Sequence, residues 1–95
     1  MSKITKKFER FSNPFHPGVI LWEEFLEPMG HSQRQFAAKI KWSPRKLNEI
    51  IKQKRGITAQ TAIDLSDKLG TTPEFWMNLQ QTWDLAQAYQ QREAP

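Results

Sequence analysis

The chain has 95 residues, no cysteine and a formal net charge of +4 at pH 7. This length suffices for one domain with a single core, and the lack of cysteine excludes disulfides, thiolate metal sites and cysteine nucleophiles. The sequence has no membrane-length apolar run and no apolar signal-peptide core, so we expect one soluble, cytoplasmic domain.

The first segment, residues 1–15, is basic and shows no helical or strand period, with four Lys or Arg and one Glu. Its Ser, Asn and Pro favour an arm that is either disordered or ordered by a partner. Three phenylalanines argue against a purely solvated tail and are candidate contacts to another protein: Phe8, Phe11 and Phe15.

Three helices are predicted next, over about residues 17–28, 33–40 and 44–53, because apolar residues recur there at intervals of three and four. Ser32 and Ser43 precede the second and third helices, where a serine side chain accepts backbone N–H groups that the helix leaves unpaired. The proline after the second serine is tolerated because the first helical position needs no N–H.

Two further helices are predicted, one over about residues 59–69 and one that Thr72-Pro73-Glu74 opens as cap and first turn and that runs to about residue 91. Thr58 is an N-cap for the fourth helix, and Gly70 is the residue type that ends a helix in left-handed conformation. No segment alternates with period two, so strands are not expected. The sequence therefore predicts an all-α bundle of five helices, with a basic arm followed by one domain over residues 16–92.

The cations are concentrated in residues 31–57, which carry eight Lys or Arg against the single acid Glu49, a balance of +7. The segments on either side, residues 16–30 and 58–95, each have a charge of −3. One electropositive face on an acidic body is typical of a protein that binds a polyanion. Charge alone does not separate this interpretation from a solvated surface with clustered lysines.

Helices two and three, joined by a short turn, match a helix-turn-helix, whose second helix enters the major groove of DNA. Arg45 suits a paired contact to guanine and Asn48 to adenine, whereas the other polar groups suit phosphates. Backbone N–H groups at the start of helix two, beside Gln33, also favour a phosphate. The candidate DNA-binding residues are Gln33, Ser43, Arg45, Lys46, Asn48, Glu49, Lys52, Lys54 and Arg55.

Helix five carries more apolar surface than one buried stripe requires. We expect part of it to lie in the core and part against a second copy, because a symmetric dimer meets two DNA half-sites. The alternative is that helix five is wholly core. The predicted dimer-interface residues are Phe75, Trp76, Leu79, Trp83, Leu85 and Tyr89.

Neither enzymatic nor metal chemistry is predicted. His16 and His31 have no second ligand at metal-binding spacing, and His16 is expected instead to cap or orient helix one. The glutamates of helix one lack a nucleophile, phosphate loop or metal with which to act. We therefore expect no cofactor and no small-molecule substrate.

The motifs also resemble a known family. SQRQFAAKIKWSPRKLNEI resembles the Xre/Cro-type helix-turn-helix, and HPGVILWEEFLEPMG with RGITAQTAIDLSDKLGTTPEFWMNLQ resembles the HigA-type antitoxins, also called virulence-associated protein I. The resemblance covers residues 16–90 and implies a lambda-repressor-like, homodimeric repressor that binds a palindromic, double-stranded operator of its own operon. It also implies neutralisation of a HigB toxin, a RelE-like ribonuclease that cleaves mRNA, with the arm phenylalanines as candidate toxin contacts.

The chain departs from this family at two turns. Lys41-Trp42 stands where a glycine is common between helices two and three, and Lys52-Gln53 stands where an Asn-Gly pair often ends helix three. Both changes remove a residue that reaches left-handed backbone cheaply. Trp42 is expected either to pack on the core or to reach toward the DNA backbone.

Three other functions fit parts of the sequence. They are a stand-alone Xre-type transcriptional repressor without a toxin, a purely protein-binding helical adaptor, and a small basic ribonuclease. Alanine at Arg45 and Lys46 would abolish DNA binding by either repressor and leave an adaptor intact, whereas the ribonuclease lacks a catalytic constellation.

Overall fold

The structure is a computed structural model that describes residues 14–93. Within this range the chain forms five helices and no strand, which confirms the predicted all-α fold. Helix α1 begins as Pro17–Ile20 and continues directly as a π-helical segment, Leu21–Leu26; the others are α2 (Gln33–Ile40), α3 (Pro44–Ile51), α4 (Ala59–Leu69) and α5 (Pro73–Glu93). The arm residues Phe8 and Phe11 lie outside the described range.

Polar caps start four of the helices at the predicted positions. The Ser32 hydroxyl accepts the Gln35 N–H at 3.1 Å while the Gln35 side chain accepts the Ser32 N–H at 3.0 Å, a reciprocal capping box. The Ser43 hydroxyl accepts the Lys46 N–H at 3.1 Å. Thr58 and Thr72 cap α4 and α5 in the same way.

Helix α1 ends earlier than predicted, at Leu26 rather than residue 28. The Glu27 N–H bonds to the Trp22 carbonyl, five residues back and 2.9 Å away, which is the wide winding of a π-helix. At the helix end the Gly30 N–H bonds to the Glu27 carbonyl at 3.0 Å and the His31 N–H to the Leu26 carbonyl at 2.9 Å, the paired bonds of a Schellman motif. Pro28 has no N–H with which to continue the helix, and the chain leaves it through Gly30, which has a φ of +74°.

The core lies between α1 and the helices that surround it. Its largest fully buried side chains include Leu21, Leu47 and Leu65, from three different helices, and Trp76 of α5. The Trp76 ring lies 5.4 Å from the ring of Phe25, which fixes α5 against α1. None of the described helices combines the length and the apolar character that a membrane span requires.

Candidate nucleic-acid interface

The turn between α2 and α3 adopts left-handed backbone without a glycine. Lys41 has φ 62° and ψ 38°, and the Trp42 N–H donates to the Ala37 carbonyl at 3.0 Å. This arrangement satisfies carbonyls at the end of α2. The chain then enters α3 at Pro44 after only three residues, so the two helices form a compact helix-turn-helix.

Trp42 packs on the core, which settles the two alternatives left by the sequence. Its side chain is buried, and its indole N–H donates to the Asp64 carboxylate of α4 at 3.0 Å. The Lys46 ammonium lies 4.4 Å from the centre of the same ring, a cation–π contact. Trp42 therefore anchors the turn to α4 and holds Lys46 close to the turn.

Two of the predicted DNA-binding residues are joined across the motif. The Asn48 side-chain amide of α3 donates to the Gln33 side-chain carbonyl, at the first position of α2, with a length of 3.1 Å. The bond links the amino-terminal turn of α2 to the exposed side of α3. Each amide keeps hydrogen-bonding capacity for another group.

A second group joins α3 to the loop that follows it. The Glu49 carboxylate accepts the Arg45 Nε–H at 3.2 Å through one oxygen, and Arg55 Nε–H and Nη2–H at 3.0 and 2.7 Å through the other. Hydrogen bonds from Arg55, and then from Arg45, lower the pKa of Glu49. The carboxylate therefore remains charged at neutral pH.

Gln80 of α5 holds the loop that follows α3, and the sequence analysis did not identify it. The Gln80 side-chain oxygen accepts the Ile57 N–H at 2.6 Å, and its amide donates to Asp84 at 2.8 Å. Residues 57 and 80 are brought together only by the fold, so the sequence carried no local signal for that contact, whereas Gln80 and Asp84 lie one helical turn apart. The remaining predicted residues, Ser43, Lys52 and Lys54, are exposed at the two ends of α3.

Helix α5 divides the predicted dimer residues among four environments. Trp76 is fully buried in this chain's own core, so its assignment to a surface for a second copy is corrected. Trp83 is half-buried, with its ring edge-to-face to His16 at 5.2 Å. Leu85 and Tyr89 are exposed on the outer side of α5.

The other two predicted dimer residues, Phe75 and Leu79, lie beside a groove between α5 and the start of the described chain. This groove has a volume of about 450 Å³ and is also lined by Phe15 and Ile20. Phe15 is 59% exposed, the most of any large apolar side chain in the described residues. The groove and the outer side of α5 are therefore two separate apolar surfaces.

Comparisons with known proteins agree with this geometry. Residues 23–76 match the helix-turn-helix family. The chain is 43% identical over 79 residues to virulence-associated protein I of Dichelobacter nodosus, covering 83% of this chain and 73% of that protein. It is 37% identical over 81 residues to antitoxin HigA-1 of Vibrio cholerae, covering 82% and 76%. The structure of the Pseudomonas aeruginosa antitoxin HigA with the higBA promoter superposes with a TM-score of 0.80 at 41% identity, over 85% of this chain and 92% of that one.

Proposed function

This chain belongs to the Xre-type helix-turn-helix family that includes virulence-associated protein I and the HigA antitoxins, a family of DNA-binding regulators rather than enzymes, and we propose that it is itself an antitoxin that represses its own operon. In this proposal α3 reads the major groove of operator DNA and α2 approaches the backbone. A HigB-like toxin is the protein partner.

The observation that carries the proposal is the set of polar side chains held on and beside α3. Arg45 extends into solvent with an 85% exposed side chain, and Asn48 is oriented by Gln33. These are the residue types that pair with guanine and adenine edges. Lys46, Lys52 and Lys54 add cations suited to phosphates on either side of the reading residues.

The toxin contact rests on the apolar residues near the start of the domain. A relative at 37% identity bears the name antitoxin, and Phe15 exposes a large aromatic surface that this chain's own core does not cover. We place the toxin contact at Phe15 together with Phe8 and Phe11. Exposed aromatic side chains are common anchors of protein interfaces.

We propose that the repressor forms a homodimer through α5. Phe75 and Leu85 are 38% and 41% exposed on this helix, which is more apolar surface than a solvated helix requires. A homodimer would carry two copies of α3 and therefore bind a palindromic operator with half-sites about one helical turn apart.

Titration with duplexes from upstream of the coding region tests DNA binding. We expect Arg45→Ala to weaken operator binding by about 5- to 150-fold, the value of one paired base contact. The matched variant Arg92→Ala, at an exposed arginine in the last turn of α5, should leave binding unchanged. If about six phosphates are contacted, the logarithm of affinity should fall with the logarithm of salt with a slope of about −5.

Absence of any complex with these duplexes in dilute buffer would contradict the DNA-binding proposal. The toxin proposal is tested separately, by co-expression with the product of the adjacent gene. Copurification supports an antitoxin, whereas operator binding without a copurifying partner supports a stand-alone repressor.

A further inference from the structure

We infer that Glu49 is a positioning residue of the DNA-reading surface, which orients Arg45 and Arg55 before DNA arrives rather than contacting a base itself. The inference rests on the proposed DNA-binding function and deepens it. It concerns the one acidic residue in the basic segment 31–57. A carboxylate there repels phosphates, so its presence needs a reason other than general affinity for DNA.

The three side chains meet on one side of α3. Glu49 follows Arg45 by four residues, one helical turn, and the two form an ion pair at 3.2 Å. Arg55 comes from the loop beyond the helix, and its guanidinium reaches the other Glu49 oxygen at 2.7 Å. One carboxylate therefore ties the loop to the reading helix and sets the two guanidinium groups beside each other.

The two arginines are bound unequally, and the difference assigns them different tasks. Glu49 engages Arg45 only through Nε, which leaves both terminal Nη groups available in a highly exposed side chain. Paired recognition of guanine uses two N–H groups of one guanidinium. Glu49 takes two donors of Arg55, one of them terminal. Arg45 is therefore the base reader, and Arg55 holds the loop and can still meet a phosphate.

Ordering Arg45 in the free protein has a thermodynamic consequence. A long, exposed side chain loses rotamer freedom when it binds, and this loss weakens the complex unless the side chain is already oriented. Orientation favours the duplex whose guanine is correctly placed, while the negative charge penalises every duplex alike. Glu49 thus lowers affinity for arbitrary DNA and raises the preference for the operator.

The test measures binding of operator and non-operator duplexes at several salt concentrations, for wild type, Glu49→Gln, Arg45→Ala and the double variant. Glu49→Gln keeps the size of the side chain and removes its charge. We expect its preference for the operator over the non-operator duplex to fall by about tenfold, part of the value of one paired base contact. Its affinity for the non-operator duplex should rise, with a steeper salt dependence.

The double variant separates positioning from direct contact. If Glu49 acts through Arg45, adding Glu49→Gln to Arg45→Ala should change operator preference by less than about twofold, because contacting residues couple. An equal fall in both backgrounds would show that Glu49 contacts a base, and would overturn the inference. So would an equal loss of affinity for both duplexes together with lower protein stability, which marks a merely structural role.

A matched variant controls for the change in charge. Glu24→Gln removes the same charge from an exposed site on α1 and should leave operator preference unchanged; an equal fall there would also overturn the inference. Failure of the proposed function looks different, because wild type itself would then bind the operator no more tightly than the non-operator duplex.

Discussion

Gly18 of α1 lies directly against the backbone of Ile50 in α3, so that a Cβ at residue 18 would overlap the Ile50 carbonyl group. Glycine alone permits this approach. We expect Gly18→Ala to lower the free energy of unfolding by about 1–3 kcal/mol, the usual range for an overpacked site, and to fall near its upper end. The clashing atoms are fixed by the backbones of two packed helices, which cannot rotate away as a side chain can. Urea denaturation followed by circular dichroism measures the change.

Gly56→Ala is the control for this prediction. A Cβ at Gly56 would come within 3.0 Å of the Gln80 side chain, which would have to give by only a few tenths of an ångström. We therefore expect a loss below about 1 kcal/mol, since a side chain relaxes at lower cost than backbone. Equal losses for the two variants would contradict the close α1–α3 crossing.

The end of α3 gives a second prediction, because Gln53 holds a left-handed backbone with a φ of 65°. A residue with a Cβ pays about 1–2 kcal/mol for this conformation, and glycine avoids that cost while losing some entropy on folding. We expect Gln53→Gly to leave the protein as stable or up to about 1 kcal/mol more stable. Thermal unfolding provides the measurement.

The same chemical change at Gln81 is the matched control, because this residue is exposed within α5 in ordinary helical conformation. There Gln→Gly should cost about 0.5–1 kcal/mol, the difference in helix propensity. Destabilisation of similar size at both positions would show that glycine's access to left-handed backbone does not stabilise the protein at residue 53. Lys41→Gly should behave like Gln53→Gly, since Lys41 has a φ of 62°.

A third prediction concerns pH and His16, whose Nδ1 accepts the Gly18 N–H at 2.9 Å. Burial lowers the pKa of His16, although the charge of Asp84 acts in the opposite direction. The folded state therefore binds this proton less readily than the unfolded chain, in which histidine has a pKa of about 6.5. Stability from this group should decline as the pH falls below about 7, with a slope of at most about 1.4 kcal/mol per pH unit, until the pH passes the folded pKa.

Denaturant unfolding at several pH values between about 7.5 and 5.5 measures this effect. His16→Asn is the comparison, because asparagine can accept the same backbone N–H at the start of a helix and does not titrate. We expect the free energy of unfolding of wild type to fall relative to that of this variant as the pH is lowered. Parallel pH curves for the two proteins would show that His16 does not contribute.

Helix starts were more predictable from the sequence than helix ends, and the reason is physical. A cap such as Ser32 or Ser43 acts within three residues, so its signal is local. The ends of α1 and α3 depend on a π-helical winding and on left-handed backbone at Gln53. Neither feature follows from apolar periodicity, which does not mark the residue where a helix stops.

The candidate functional site was likewise predictable from the sequence only in part. The sequence analysis named Arg45 and Glu49 only as candidate DNA contacts, although their spacing of one helical turn permits an ion pair. The approach of Arg55 depends on the path of the following loop. Composition likewise showed that α5 is unusually apolar, while only the fold shows which side faces inward. Trp76 was therefore grouped with surface residues although it is fully buried.

The last prediction concerns the two apolar surfaces that α5 presents, one around Phe75 beside the groove and the other around Leu85 on the outer side. A charge in the centre of a dimer interface is costly because the partner removes its water. We expect the double variant Phe75→Glu/Leu85→Glu to be monomeric in analytical ultracentrifugation and to bind the operator at least about tenfold more weakly, since two linked reading helices reinforce each other. The two single variants should identify which surface carries the contact.

Gln91→Glu introduces the same charge at an exposed polar site of α5 and should leave association intact. A double variant that remains dimeric would remove α5 from the interface, and the half-sites would then have to be joined by another element of the chain.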